Sequence, residues 1–289
     1  MKKTSGSLLL LLTALIWGTA FVAQRTGMDH VGPFTFLAAR SLLGGLSLLP
    51  SVLWQKKHQG LAFRAPSFKG GLYCGLILFF AAGTQQIGLV TTTASKAGFI
   101  GALYVVFVPL LGLFLHMRVA RKVWLSVALS FLGLFLISGI GPTQMHMQAG
   151  DLWVLISAVF YAVHILAVAK FAPGVSGAAL SCAQFFVLFL STLIPALIWE
   201  QPTVSALVDA RWAILYTGIL SSGVGYTLQI VGQKRVPSAV ASLILSLESV
   251  FSLAAGMLLL GEKLKGAEWL GCALVMCAVL LSQIPLKRK

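Results

Sequence analysis

The chain has 289 residues, of which 58% are hydrophobic and only 10% charged, with a mean hydropathy of +0.94. A soluble globular domain carries roughly 25% charged residues, so this chain cannot clothe a water-facing surface of normal size. The net charge of +14 does not signal nucleic acid: the basic residues fall in short clusters between apolar runs, with no aromatic-interleaved basic face and no zinc-finger spacing.

The N-terminus opens Met1-Lys2-Lys3 and enters an apolar run at 8–16, which has the outline of a signal peptide. Trp17-Gly18-Thr19-Ala20-Phe21-Val22 carries the run further and many similar runs follow. A first membrane helix is therefore expected. Crossing a bilayer takes roughly 20 mostly apolar residues. Ten such spans are predicted, at 7–26, 33–53, 69–88, 96–115, 123–141, 151–169, 176–198, 212–231, 238–260 and 267–284. The loops are short, so successive helices should be antiparallel neighbours.

Some stretches within these spans are too polar for lipid. Gln24-Arg25, Thr84-Gln85-Gln86 and the approach 91–96 to the fourth span make sense only against a cavity or the other half of the chain. Gly71 and Gly75 form a small-xxx-small pair suited to close helix contact. Pro109 should kink the fourth span and Pro195 the end of the seventh, while Pro237 should start the ninth. The four cysteines, Cys74, Cys182, Cys272 and Cys277, form no CxxC pair and read as small packing residues.

The same module is written twice, 144 residues apart. Trp17-Gly18 answers to Tyr161-Ala162, Arg40 to Gln184, Gln85 to Gln229, Gly88 to Gly232, and Val106-Phe107 to Val250-Phe251. The constant offset is the signal, since unrelated coincidences would scatter. The expected domains are 1–144 and 145–289. With the N-terminus inside, 15 basic residues fall on the inner side and 5 on the outer side, with Arg40 inside a span. This positive-inside bias places both termini in the cytoplasm. Five spans per half force the copies to insert upside down relative to each other, so the expected fold is all-α integral membrane, with ten transmembrane helices as two inverted five-helix repeats. Such repeats commonly hold a substrate site between them and support alternating access.

Glu248 lies about ten residues into the ninth span, near mid-membrane at roughly 1.5 Å per residue. A carboxylate there must face protein or water. It reads as a cation or proton site, or as a structural bond between helices; its repeat mate is Tyr104. Arg40 could meet a substrate carboxylate, pair with Glu248, lock helices through carbonyls, or snorkel outward. Lys96 is an outer-mouth cation or an interfacial anchor. Gln85 and Gln229, at matched places, could bind polar substrate atoms or glue helices, as could Gln24 and Gln184. Trp17, Tyr104, Tyr161, His164, Phe21 and Trp153 are possible cavity aromatics, with ordinary packing as the alternative.

No Walker motif, HExxH or GxSxG is present. Most acidic residues lie at span ends or in loops, which argues against a two-carboxylate or metal site. An enzyme is not expected, and no cofactor or metal.

The chain resembles the drug/metabolite transporter superfamily, specifically its ten-helix EamA-type family. The resemblance rests on Ala14-Leu15-Ile16-Trp17-Gly18, on Arg40, on Ala94-Ser95-Lys96-Ala97-Gly98-Phe99 and on Leu260-Gly261-Glu262-Lys263-Leu264. It implies a bacterial inner-membrane carrier, often an exporter of amino acids or related metabolites, with a cavity chiefly between spans 1, 3, 4, 6, 8 and 9. The first-helix carboxylate of the four-helix multidrug relatives has no counterpart between residues 8 and 24. The function to expect is a secondary transporter exporting small amphipathic metabolites such as amino acids. The alternatives are an uptake carrier, an uncoupled facilitator or broad-specificity drug efflux. The expected partners are a small-molecule substrate, protons and membrane lipid, with no nucleic acid; a monomer is compatible with all of this.

Overall fold

The structure, a computed structural model, describes residues 2–59, 65–92, 94–138, 148–260 and 266–284. Among them every regular element is helical. Hydrocarbon offers no partner to a backbone N–H or C=O, so a chain this apolar must satisfy them within helices.

The first half runs α1 (Lys2–Met28), α2 (Pro33–Gln59), α3 (Ala65–Thr91), α4 (Ala94–Gly101), α5 (Tyr104–Phe114) and α6 (Arg121–Ile137). The second runs α7 (Ala149–Phe171), α8 (Gly177–Pro195), α9 (Val204–Asp209), α10 (Arg211–Leu215), α11 (Tyr226–Gln233), α12 (Ser238–Leu245), α13 (Glu248–Leu260) and α14 (Gly266–Gln283). A π-helical turn, Ala196–Glu200, extends α8, and a longer one, Tyr216–Gly225, joins α10 to α11. The fourth span is thus α4 with α5, the eighth α10 to α11, and the ninth α12 with α13.

Nine spans of the described residues are long and apolar enough to cross a membrane. The fifth, α6, is 17 residues long and packs along α14. The junction between the halves, at 144/145, falls outside the described residues.

The duplication is visible in the backbone. The fourth span breaks between α4 and α5, and the ninth breaks 144 residues later. Leu103 N–H bonds Ile100 O, and Leu247 N–H bonds Ile244 O; Val105 bonds Ala102, and Ser249 bonds Ser246. These i→i−3 bonds tighten the chain at both breaks. Pro109 does not make the first break, since it lies well inside α5. In the ninth span Ser246 Oγ bonds Leu243 O at 2.9 Å, competing with the helix ladder. Pro237 immediately precedes α12, as expected, and Pro195 ends α8 where the π turn begins.

Packing repeats the exchange. α3 lies along α7, and the eighth span lies along α1. α4 and α5 touch α7, while α12 and α13 touch α1. α2 packs on its own mate α8, and α6 on its mate α14. Two close helix approaches are copies of each other: a Cβ at Gly88 would stand 2.8 Å from Gly150 O, and one at Gly232 3.0 Å from Gly6 O. Gly71 and Gly75 do admit α8, against Ala183, Gln184 and Val187. The two halves are inverted five-helix repeats, crossed so that each fills the grooves of the other. Trp199, Trp212 and Phe114 stand exposed at span ends, where aromatic side chains suit the membrane interface.

Candidate functional site

A cavity of about 500 Å³, counted with its open mouth, lies between the repeats. It sits in the half of the molecule nearer Met28 and Pro33. α1 contributes Trp17, Phe21 and Gln24, α2 Arg40, and α3 Gln85; Gly101 and Tyr104 come from the fourth span and Tyr161 from α7. Ser221, Tyr226 and Glu248 complete the wall from the eighth and ninth spans.

Glu248 is the first residue of α13 and Tyr104 the first of α5. Tyr104 Oη donates to Glu248 Oε1 at 2.9 Å. The bond joins repeat mates, so the pseudo-two-fold axis passes between them. Both breaks open onto the cavity there, the arrangement in which broken membrane helices present polar groups to a ligand.

Arg40 is 6% exposed. Its Nη1 donates to Gln24 Oε1 at 2.8 Å and its Nε to Ser222 Oγ at 3.4 Å. A guanidinium has five N–H donors, so part of the fork is left for the cavity. These neutral groups hold Arg40, rather than Glu248, so the one cavity carries a cation and a carboxylate that are not tied to each other.

The aromatic side follows from the π segment. Trp17 Nε1 donates to Ser221 O at 3.2 Å and Thr13 Oγ1 to Gly225 O at 3.2 Å. Trp17 lies 4.6 Å from the Tyr226 ring. Glycine is required at 225, because a Cβ would meet Trp17 Nε1 at 2.8 Å. Tyr161 Oη donates to Gln85 Oε1 at 3.0 Å.

The profile of the EamA-like transporter family matches residues 4–139 and 148–283. The chain belongs to the EamA-like transporter family. It is 28% identical over 282 residues to an uncharacterized transporter of Archaeoglobus fulgidus, covering 97% of this chain and 86% of that one. The uncharacterized transporter YwfM of Bacillus subtilis is 25% identical, over 100% and 97% of the two chains. The threonine/homoserine exporter RhtA of Salmonella typhimurium is 27% identical over 184 residues, 61% of this chain and 59% of that protein. A solved structure titled "Crystal structure of protein" superposes with a TM-score of 0.82 at 19% identity, over 97% of each chain, and shows the shared fold.

In this EamA-like transporter, eight of the residues singled out in the sequence line one cavity: Trp17, Phe21, Gln24, Arg40, Gln85, Tyr104, Tyr161 and Glu248. His164, Gln184, Gln229 and Trp153 do not join them. His164 is buried behind Tyr226, with ring centroids 5.9 Å apart, and its Nε2 shares a 3.1 Å bond with Gln184 Oε1. Gln229 is buried on α11, away from the cavity wall. The side chain of Lys96 lies outside the described residues. Trp153 stands 41% exposed on the surface of α7, so it is no cavity aromatic.

The sequence reading missed Tyr226, Ser221 and Ser222. Tyr226 has Ala82 as its repeat mate, so a search for matched polar pairs passes over it. The Ser221-Ser222-Gly223 run inside an apolar span was the available signal. The cavity uses the spans implied by the family resemblance and adds α2, through Arg40.

Proposed function

We propose that this transporter moves small amphipathic metabolites, amino acids among them, out across the bacterial inner membrane by alternating access. Residues 1–144 and 145–289 would act as the two opposed halves. The observation that carries the reading is a cavity between the repeats holding the Arg40 guanidinium, the Glu248 carboxyl and an aromatic wall of Trp17, Tyr104, Tyr161 and Tyr226. A carboxylate suits Arg40, an ammonium or a proton suits Glu248, and an apolar side chain suits the rings. The likeness to a threonine/homoserine exporter supports the substrate class and the direction.

The positive-inside bias supports a cytoplasmic N-terminus and C-terminus. The cavity then lies in the outer half of the membrane.

The test is flux from liposomes holding the purified protein, against a labelled metabolite panel with and without a pH gradient. Gradient-driven amino acid movement is expected for the wild type. Glu248→Gln should bind substrate poorly and lose the response to the gradient. Unchanged flux and unchanged pH dependence in that variant would remove Glu248 from the mechanism, and gradient-independent flux in the wild type would make the protein a facilitator.

A further inference from the structure

The half of the molecule away from the cavity, toward Gly177 and Gln233, is closed by packed side chains, Cys74, Val168, Leu180 and Ile230 among them. Polar groups are nevertheless buried there. Ser181, Gln184, Gln229 and Gln233 are each at most 5% exposed. Ser181 Oγ, Gln184 Nε2, Gln229 Oε1 and Gln233 Oε1 have no hydrogen-bond partner among the described residues. A buried polar atom without a partner costs about 1–3 kcal/mol, so packing alone gives no reason for four of them in one region.

The repeat supplies a reason. Gln184 is the mate of Arg40 and Gln229 the mate of Gln85, both at the 144-residue offset. Arg40 and Gln85 are polar walls of the open cavity. If the two halves exchange conformations, Gln184 and Gln229 come to stand in the cavity wall of the opposite-facing state. Ser181 lies one turn before Gln184, on the same face of α8. Tyr226, Gln229 and Gln233 follow at i, i+3 and i+7 on α11, and lead from the cavity wall to the far end. His164 bridges the two rows, touching Tyr226 and Gln184.

We infer that Ser181, Gln184, Gln229 and Gln233 line the substrate path in the opposite-facing state, where they take the polar end of the substrate through neutral amide and hydroxyl hydrogen bonds. Two of its four residues, Gln184 and Gln229, stand at the helix positions of Arg40 and Gln85 in the open cavity, and it carries no charge where Arg40 stands in the first repeat. A zwitterion or carboxylate therefore meets a cationic site from one side and a neutral one from the other. This rests on the transport reading above.

The test is cysteine labelling, which needs neither substrate nor flux. In full-length protein with Cys74, Cys182, Cys272 and Cys277 replaced by alanine, Ser181→Cys and Gln229→Cys are introduced singly. Leu180→Cys and Ile230→Cys, their immediate neighbours, serve as controls. A small hydrophilic methanethiosulfonate reagent is added to membrane vesicles of each orientation. The opposite-facing state, populated even as a minor conformer, should make the two test cysteines react about tenfold or more faster than the controls. That reaction should come only from the side holding Gln233. Ser181→Cys changes one atom, so it keeps the test valid where a glutamine variant does not fold. Equal rates at test and control positions would mean general loosening or purely structural polar groups, and would overturn the inference, as would reaction from the other side. Absence of flux would sink the transport reading and leave the labelling result standing.

Discussion

Two hydrogen-bonded groups decide the charge in the cavity. Glu248 is buried to 8% exposure, and Tyr104 is the donor that the structure gives it. A hydrogen bond to a charged group is worth about 1.5–3 kcal/mol. Tyr104→Phe should therefore lower transport by about tenfold or more and lower the melting temperature in detergent, while far-UV circular dichroism stays near wild type. On the cationic side, Gln24 orients the Arg40 fork. Gln24→Ala should raise the apparent KM for a carboxylate-bearing substrate by about tenfold, with little change for a substrate analogue that lacks the carboxylate. Equal effects on both ligands would show that Gln24 acts on the fold and not on Arg40.

At the scale of elements, the helix ends do the positioning. α2 starts at Pro33, a residue whose missing N–H is harmless at a first helical position. The next two N–H groups are taken by Glu200, from the C-terminal end of the seventh span: Phe34 N–H to Oε1 at 2.9 Å and Thr35 N–H to Oε2 at 2.7 Å. A carboxylate suits the positive end of a helix dipole. A Cβ at residue 32 would stand 2.4 Å from Glu200 Oε2, so a larger residue there would push the carboxylate off these N–H groups. Glu200→Ala should destabilise the protein by about 1–3 kcal/mol. Gly32→Ala should act in the same direction, and the double variant should be less than additive, because both changes break one contact. Thermal melts of the four proteins check this. Since α2 also carries Arg40, substrate affinity should fall together with stability.

At the scale of the molecule, the crossed packing makes the repeats depend on each other. Gly88 meets Gly150 O and Gly232 meets Gly6 O, each joining a helix of one half to a helix of the other. Gly88→Val should destabilise strongly, because the obstructing atom is a backbone oxygen that cannot swing aside. Expression as a folded monodisperse peak on size exclusion reads this directly. The orientation belongs to the same scale. A green fluorescent protein fused after Lys289 should fluoresce, and alkaline phosphatase fused there should be inactive; an active phosphatase would invert the proposed topology.

The sequence by itself determined the membrane setting, the duplication and the inversion. Hydrophobicity and an odd number of spans per copy are linear properties, and the offset of 144 survives in any conformation. It also marked Glu248 and Arg40, because charges inside apolar runs stand out without a structure. Only the tertiary structure decided which polar residues share the cavity. Gln85 and Gln229 are equivalent in sequence, yet one faces the open side and the other lies in the closed half. Inverted copies hold opposite conformations at the same moment, so equal positions in the chain cannot have equal surroundings. The break at residues 102–103 was likewise invisible, because no proline marks it; packing against the other repeat is what makes the tightened backbone worthwhile there.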